Sequence, residues 1–379
     1  MGRILLGTSG WSYDEWVGPV YKSKNEPKLR RYSSFFKTAE MDSSFYAYPR
    51  KETVMAMADN VPEYFVFTAK APQEVTHNLK LDVRAGADKA LQRFTEVMRP
   101  LNNAGMLGCI LLQLPPKMEN NPEKLETFLE AVDKDFRYSV EFRHPSWLNE
   151  QTYRILGKNN VAYTIVDEPL LPPTVKVTAD FAYVRWHGRG SEPWYNYLYS
   201  VEELVEWVPR LTAVAEKVDV VYGYFNNHFH GYAVYNCVQV LEMLGLAEEK
   251  HANLKQQIEN YFDMMGLERT GARDDFTRLL SMFVDRRRLE RASEIAVESV
   301  TVLEDDGARI RAKVKEYTVE IDTASKRVYH DCQDWARTSK NKKLCKHVAK
   351  LLETLPRERA AQMLRSMAED AETWRFDTT

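Results

Sequence analysis

Two thiols and two imidazoles fall within eighteen positions near the C-terminal end of the sequence: His330-x-Cys332, twelve intervening residues, then Cys345-x-His347. Thiolate and imidazole in a set of four suit tetrahedral zinc, and four protein ligands leave no open coordination position, so the spacing predicts a structural zinc site. No acidic residue occurs from Arg337 to Lys350, while Arg337, Lys340, Lys342, Lys343, Lys346 and Lys350 all lie there. Cations on a metal-braced loop predict contacts to phosphate, with a merely solvated lysine loop as the plainer alternative.

A second set of chemical groups is spread along the first 247 residues, each at the end of a β-rich run. Glu40/Asp42, Glu141/Arg143 and Arg185/His187 are spaced i, i+2, which puts both members of a pair on one face of a strand. Ser9, Lys70, Gln113, Asp167, Asn226 and Asn227 end other runs. So many polar strand ends exceed what a closed interior tolerates without function, because each unpaired buried charge costs several kcal/mol. Two chemistries suit them. Glu40, Glu141, Asp167, His77, His144 and His187 form one candidate set, a divalent-metal cage for phosphodiester hydrolysis. Alternatively, Lys70, Arg143 and Arg185 hold an anion without metal while Glu141 or Glu40 acts as general acid or base. Three adjacent cations favour the second. Trp11, Tyr13, Phe45, Tyr46, Trp147, Trp186, Trp194 and Tyr195 are candidates for stacking on bases or sugars, although each taken singly reads as ordinary packing.

The elements that must position these groups follow from periodicity. Eight β-rich runs (4–8, 38–43, 65–70, 108–113, 138–142, 162–166, 182–186 and 220–225) alternate with helical patterns. Asn121-Pro122 and Ser200-x-x-Glu203 are helix-start signals. Eight βα units in about 250 residues predict an α/β fold, a (β/α)8 TIM barrel, with chemistry at the C-terminal mouth of the strands. The sixth unit departs from the pattern, since Pro169-Leu170-Leu171-Pro172-Pro173 predicts an extended loop in place of a helix. Residues 248–296 read as a helical linker, 297–356 as a small zinc-binding α+β module with an Asp306-Gly307 hairpin, and 357–379 as a C-terminal helix. Cys109 and Cys237 read as core residues.

Composition limits the remaining options. The chain has 379 residues, 44% of them hydrophobic and 28% charged, with a net charge of −3. That excludes a disordered or uniformly basic chain, so any nucleic-acid contact must come from a local patch. No apolar run is long enough to cross a bilayer, and four cysteines are too few to staple a secreted fold of this size. The expected location is the cytoplasm.

Gly7-Thr8-Ser9-Gly10-Trp11, Glu40-Met41-Asp42-Ser43-Ser44-Phe45-Tyr46, Thr76-His77, Gln113-Leu114-Pro115-Pro116, Glu141-Phe142-Arg143-His144, Val166-Asp167-Glu168, Arg185-Trp186-His187-Gly188-Arg189 and Asn226-Asn227 together resemble the domain of unknown function 72 family over residues 1–247. The resemblance implies a TIM barrel with a polar mouth and no settled activity. Residues 297–355 resemble the SWIM zinc finger, whose pattern is Cys-x-Cys, a variable loop, then Cys-x-His entering a helix; here His330 stands in the place of the first cysteine. That resemblance implies binding to nucleic acid or protein.

The leading expectation is a nucleic-acid-processing hydrolase, set in DNA repair, acting on DNA in preference to RNA. Its catalytic groups would be Glu141, Glu40, Asp167 and His187. Ser9, Trp11, Asp42, Lys70, His77, Gln113, Arg143, His144, Arg185, Asn226 and Asn227 would bind substrate. The alternatives are a hydrolase or lyase for a small phosphorylated or sugar-like compound, and a non-catalytic binding protein.

Overall fold

The computed structural model describes residues 2–190, 193–265, 267, 275–370 and 373–378. They form two compact units, 1–271 and 272–379.

In the first unit, apolar runs such as Leu107–Gln113 are buried on both faces, as parallel strands covered by helices must be. The strands are β1 (Arg3–Thr8), β2 (Thr38–Met41), β3 (Val66–Lys70), β4 (Leu107–Gln113), β5 (Tyr138–Glu141), β6 (Ala162–Asp167), β7 (Phe181–Trp186) and β8 (Val220–Phe225). All pair in parallel in the order β1-β8-β7-β6-β5-β4-β3-β2. The ring closes at a single parallel bridge, Ser9 to Glu40, reinforced by Gly10 N–H donating to the Glu40 carbonyl at 2.8 Å. This near-closed eight-stranded ring with outer helices is a (β/α)8 barrel. Two of its helices start as their sequences predict. The Asn121 side chain accepts from Lys124 N–H, and Ser200 and Glu203 complete a capping box. No helix follows β6; residues 168–180 run as an extended loop, because its prolines cannot sustain helical hydrogen bonds.

The barrel interior is filled from below by Cys109, Leu111, Phe181, Tyr183, Tyr222 and Tyr224. Two of its tyrosine hydroxyls pair with threonines, Tyr224 with Thr38 at 2.7 Å and Tyr183 with Thr68 at 2.8 Å. A larger apolar layer, which includes Cys237, lies between strands and helices. The helix Glu249–Met265 belongs to this unit, burying Leu254, Ile258 and Phe262 and bonding His251 to the Phe35 carbonyl.

The expected linker is therefore divided, because its second half has a different apolar core to join. The helices Asp275–Phe283 and Arg286–Ser293 belong to the second unit, where Phe276, Leu279, Leu280 and Phe283 join the core. Of the arginine triplet 286–288, Arg288 is anchored to Asp334 at 3.0 Å. An antiparallel meander follows: β9 (Val300–Asp305), β10 (Arg309–Val314), β11 (Tyr317–Asp322) and β12 (Arg327–His330). The turn between β9 and β10 uses Gly307 at φ +93°, a backbone state that favours glycine. The terminal helix is shorter than expected. It spans Arg357–Glu369, and the chain then returns as β13 (Arg375–Asp377), parallel to β12. Among the described residues no helix is long and apolar enough to cross a membrane.

Candidate functional site

The C-terminal ends of the barrel strands converge on one guanidinium. Arg185, from the end of β7, is buried and bridges two buried glutamates. Its Nη2 donates to Glu40 Oε1 at 2.7 Å, and its Nη1 donates to Glu141 Oε2 at 2.7 Å. Ser9 Oγ donates to Glu40 Oε1 and receives Arg185 Nη2 at 2.9 Å, while the Tyr183 hydroxyl donates to Glu40 Oε2 at 2.7 Å. Glu141 Oε1 also receives Gln113 Nε2 at 2.7 Å and Arg143 Nε at 2.5 Å. Burial alone would raise the Glu141 carboxyl, but Arg143, Arg185 and His187 outweigh it and hold it well below the ordinary range. Glu40 and Glu141, expected as acid or base, are both buried and surrounded by hydrogen-bond donors. They hold the site together, and neither is free to take a substrate proton.

Above this layer opens a cavity of about 640 Å³. Strand ends supply Asp42, Lys70, Gln113, Arg143, Arg185, His187 and Asn226, and loops supply Tyr13, Tyr46, Pro193, Trp194, Tyr195 and His228. Lys70 Nζ pairs with Asp42 at 3.2 Å and lies 4.1 Å over the Phe45 ring. His187 Nε2 is 3.0 Å from Arg143 Nη2, and its Nδ1 is 3.0 Å from the Asn226 amide. Burial and the Arg143 charge press the His187 imidazole down to about 3, so it is neutral throughout the physiological range. The rim is aromatic. Tyr13 stacks face to face on His228 at 4.3 Å, Tyr195 stacks on the same imidazole at 5.2 Å, and Trp194 lies 6.0 Å from the Arg143 guanidinium.

Several expected residues stand elsewhere. Asp167 is bound bidentately by Arg189 at 2.7 and 2.8 Å and receives Trp207 Nε1 at 2.8 Å, so it fixes a loop and is not a catalytic carboxylate of the mouth. His144 caps the short turn Pro145–Trp147 by accepting from Ser146 N–H. His77 bonds Thr76 and meets Phe45 edge-on, Trp11 packs on Phe67, and Asn227 ties Tyr197 to Asn236; neither these three nor His144 lines the cavity. Trp147 and Trp186 are core residues. His228 and Glu168 escaped the sequence reading. A lone histidine after a double Asn carries no pattern, and Glu168 was overshadowed by the adjacent Asp167.

The divalent-cage reading does not fit this donor set, because guanidiniums and an ammonium are interleaved between the carboxylates. Among the described residues, the metal-capable cluster lies in the second unit. There His330, Cys332, Cys345 and His347 are buried with their ligand atoms within 4.8 Å of one another. The two sulfurs are 3.7 Å apart, and His330 Nε2 is 3.4 Å from His347 Nδ1. Tetrahedral edges built from usual zinc bond lengths are about 3.8 Å for sulfur pairs and about 3.3 Å for nitrogen pairs. His330 Nδ1 donates to the Thr318 carbonyl at 2.6 Å, which turns Nε2 toward the cluster. Cys345 sits at the start of helix Lys346–Thr354, with His347 on its first turn. Around the cluster Arg337 and Lys340 are exposed, Lys342 and Lys346 half-buried, and Lys350 buried beside Glu353. Lys343 departs from the expected patch, since its ammonium donates to the Met282 carbonyl at 2.6 Å.

The loop after β7 that carries the rim depends on one glycine. Gly188 has φ +92°, and a Cβ there would lie 2.3 Å from the Trp194 carbonyl. Gly188→Ala is expected to cost about 1–3 kcal/mol in backbone strain and to displace Trp194 and Tyr195. Thermal melting and tryptophan fluorescence would check this, and an unchanged melt with native emission would count against it.

The ion-paired strand ends and the open polar mouth define a TIM-barrel protein with a polar cavity at its C-terminal face. The sequence profile described as "Protein of unknown function DUF72" matches residues 5–260, and the chain belongs to that family. It is similar to the UPF0759 protein YunF of Bacillus subtilis, at 28% identity over 64% of this chain and 95% of that protein. To YecE of Escherichia coli K12 it is 30% identical over 43% of this chain and 59% of that protein. Among solved structures, a DUF72 family protein of Thermotoga maritima matches at TM-score 0.59 and 32% identity, over 64% of this chain and 99% of that one. One from Enterococcus faecalis matches at TM-score 0.56 and 24% identity, over 65% and 99%, a likeness of fold alone.

Proposed function

We propose that the barrel is a metal-independent hydrolase acting on a phosphate-bearing nucleotide unit of nucleic acid, DNA in preference to RNA, in the setting of DNA repair. The observation that carries this reading is the placement of Lys70 and Arg143 in one cavity with an aromatic rim. The cations suit phosphate, and the rings of Tyr13, His228, Tyr195 and Tyr46 suit the face of a base. Asp42 takes the catalytic part that Glu141 cannot. It lines the cavity with its side chain 26% exposed, and Lys70 and Arg185 outweigh burial to keep it ionised and ready to orient a water. Lys70 and Arg143 then oppose the charge that develops on phosphate oxygen.

In the second unit the four buried ligands hold a structural zinc in a SWIM-like finger, and the exposed Arg337 and Lys340 beside it contact nucleic acid. Sulfur pairs and imidazoles at tetrahedral edges support zinc over harder cations, which prefer oxygen. Four unpaired cysteines suit the reducing cytoplasm.

Binding of a fluorescent single-stranded DNA 12-mer across a salt series tests the reading. Affinity should fall steeply with salt, and Arg143→Ala should weaken binding by on the order of tenfold or more. Asp42→Asn should retain binding while any turnover found drops roughly 100-fold or more. Binding of a nucleoside monophosphate with none for the 12-mer would favour a small phosphorylated compound, the alternative that the cavity's one-unit size supports. No binding of either at low salt would sink the proposal.

A further inference from the structure

Arg143 is shared between two glutamates that are very unequally satisfied. Glu141 is saturated by Gln113, Arg143 and Arg185, all within 2.7 Å. Glu168, just past the end of β6, has a fully buried side chain, and neither of its oxygens makes a hydrogen bond. Its one close partner is Arg143, whose Nη1 stands 2.6 Å from Oε2, near enough to pair electrostatically but out of line for a hydrogen bond. A buried carboxylate with no donor is a poorly kept anion.

The groups facing Glu168 are Arg143 and Glu141 from the end of β5, Arg185 from β7, and Asp167 and Tyr163 on its own strand. Burial, opposed by Arg143 and reinforced by Glu141, raises its carboxyl to about 7. Charges around the cavity floor then balance differently in its two states. Lys70 and Asp42 cancel. With Glu168 ionised, Glu40, Glu141 and Glu168 outnumber Arg143 and Arg185 by one. With Glu168 protonated the floor is neutral, and Arg143, which lines the cavity, has one competitor fewer.

We propose that Glu168 is a positioning residue: ionised, it competes with substrate for Arg143, and an anion entering the pocket drives one proton from solvent onto Glu168, releasing that guanidinium to the ligand. This rests on the anion-binding reading given above. Anion affinity should accordingly fall as pH rises through the Glu168 transition. Burial presses the His187 and His228 imidazoles toward their neutral forms.

Sulfate is the probe, since its charge does not change over this range. Calorimetry at pH about 6 and about 8.5 should show affinity lower by on the order of tenfold at the higher pH, and heats in buffers of different ionisation enthalpy should report uptake of about one proton near the transition. Glu168→Gln should hold the acid-side affinity at both values with no uptake. Because that variant can fail to fold, infrared difference spectra of the wild type provide an independent reading. Adding sulfate at pH about 7.5 should produce a protonated-carboxyl band. Sulfate binding that ignores pH, or a Gln variant that keeps the wild-type slope, overturns the role of Glu168. No sulfate binding at any pH overturns the anion pocket itself, and this inference with it.

Discussion

Cys345→Ser is expected to unfold residues 272–379 while leaving residues 1–271 folded. The cysteine is buried, and its loss opens a four-ligand site whose other members, His330, Cys332 and His347, are buried as well. Structural zinc contributes roughly 10–16 kcal/mol, as much as or more than the roughly 5–15 kcal/mol that keeps a whole domain folded. The ligands also join separate pieces of the unit. His330 ends β12, and His347 opens the helix Lys346–Thr354, whose Val348, Leu351 and Leu352 belong to the core. Hydrogen exchange should show protection lost in β11, β12 and that helix but kept in the barrel strands. A chelator should reproduce the pattern in the wild type. Elemental analysis should find about one zinc per chain bound by two sulfurs and two nitrogens. A metal-free preparation with a fully protected second unit would refute the assignment.

The second large effect is expected at Glu141→Gln. Removing this charge leaves Arg143 and Arg185 facing an amide in a buried setting, and breaking such a network costs about 3–5 kcal/mol. The variant should melt early and lose ligand binding together with stability, unlike Asp42→Asn, which should lose turnover alone. The pH dependence has a definite sign. Because Glu141 is held well below its unfolded value, its stabilisation is present above the ordinary glutamate range, about pH 4.5, and is lost as pH falls toward the depressed folded value. Acid titration of the wild type should show that loss, and Glu141→Gln should flatten it. A variant of native stability with no turnover would restore Glu141 as a catalytic group.

How far the sequence reached is instructive at particular residues. The eight strands were legible because parallel strands buried on both faces leave apolar runs, and the missing sixth helix was legible because proline forbids it. The i, i+2 spacing brings Glu141 beside Arg143 and Arg185 beside His187. Spacing, however, is silent on what lies opposite. It does not reveal that Arg185 spans from Glu40 to Glu141, which turns two candidate bases into anchors. Nor does alternation decide Asp167 against Glu168. Asp167 ends the sixth strand and Glu168 follows it, and the choice is made by Arg189 and Trp207 claiming the first. Likewise, the division of residues 248–296 depends on which core each apolar face meets, a tertiary fact with no local signature.

The bridge from Ser9 to Glu40 closes the ring, and the same glutamate grips Arg185. During synthesis the ribosome releases Glu40 and Glu141 well before Arg185 and the eighth strand. Until those emerge, Glu40 and Glu141 have no guanidinium in common, and Arg143, two residues after Glu141, is the arginine of the network already released. The floor that joins the two carboxylates is therefore completed late in translation, when Arg185 arrives. A nascent barrel that stops before its seventh strand lacks the guanidinium spanning its mouth, so the pocket floor is assembled among the last parts of the ring.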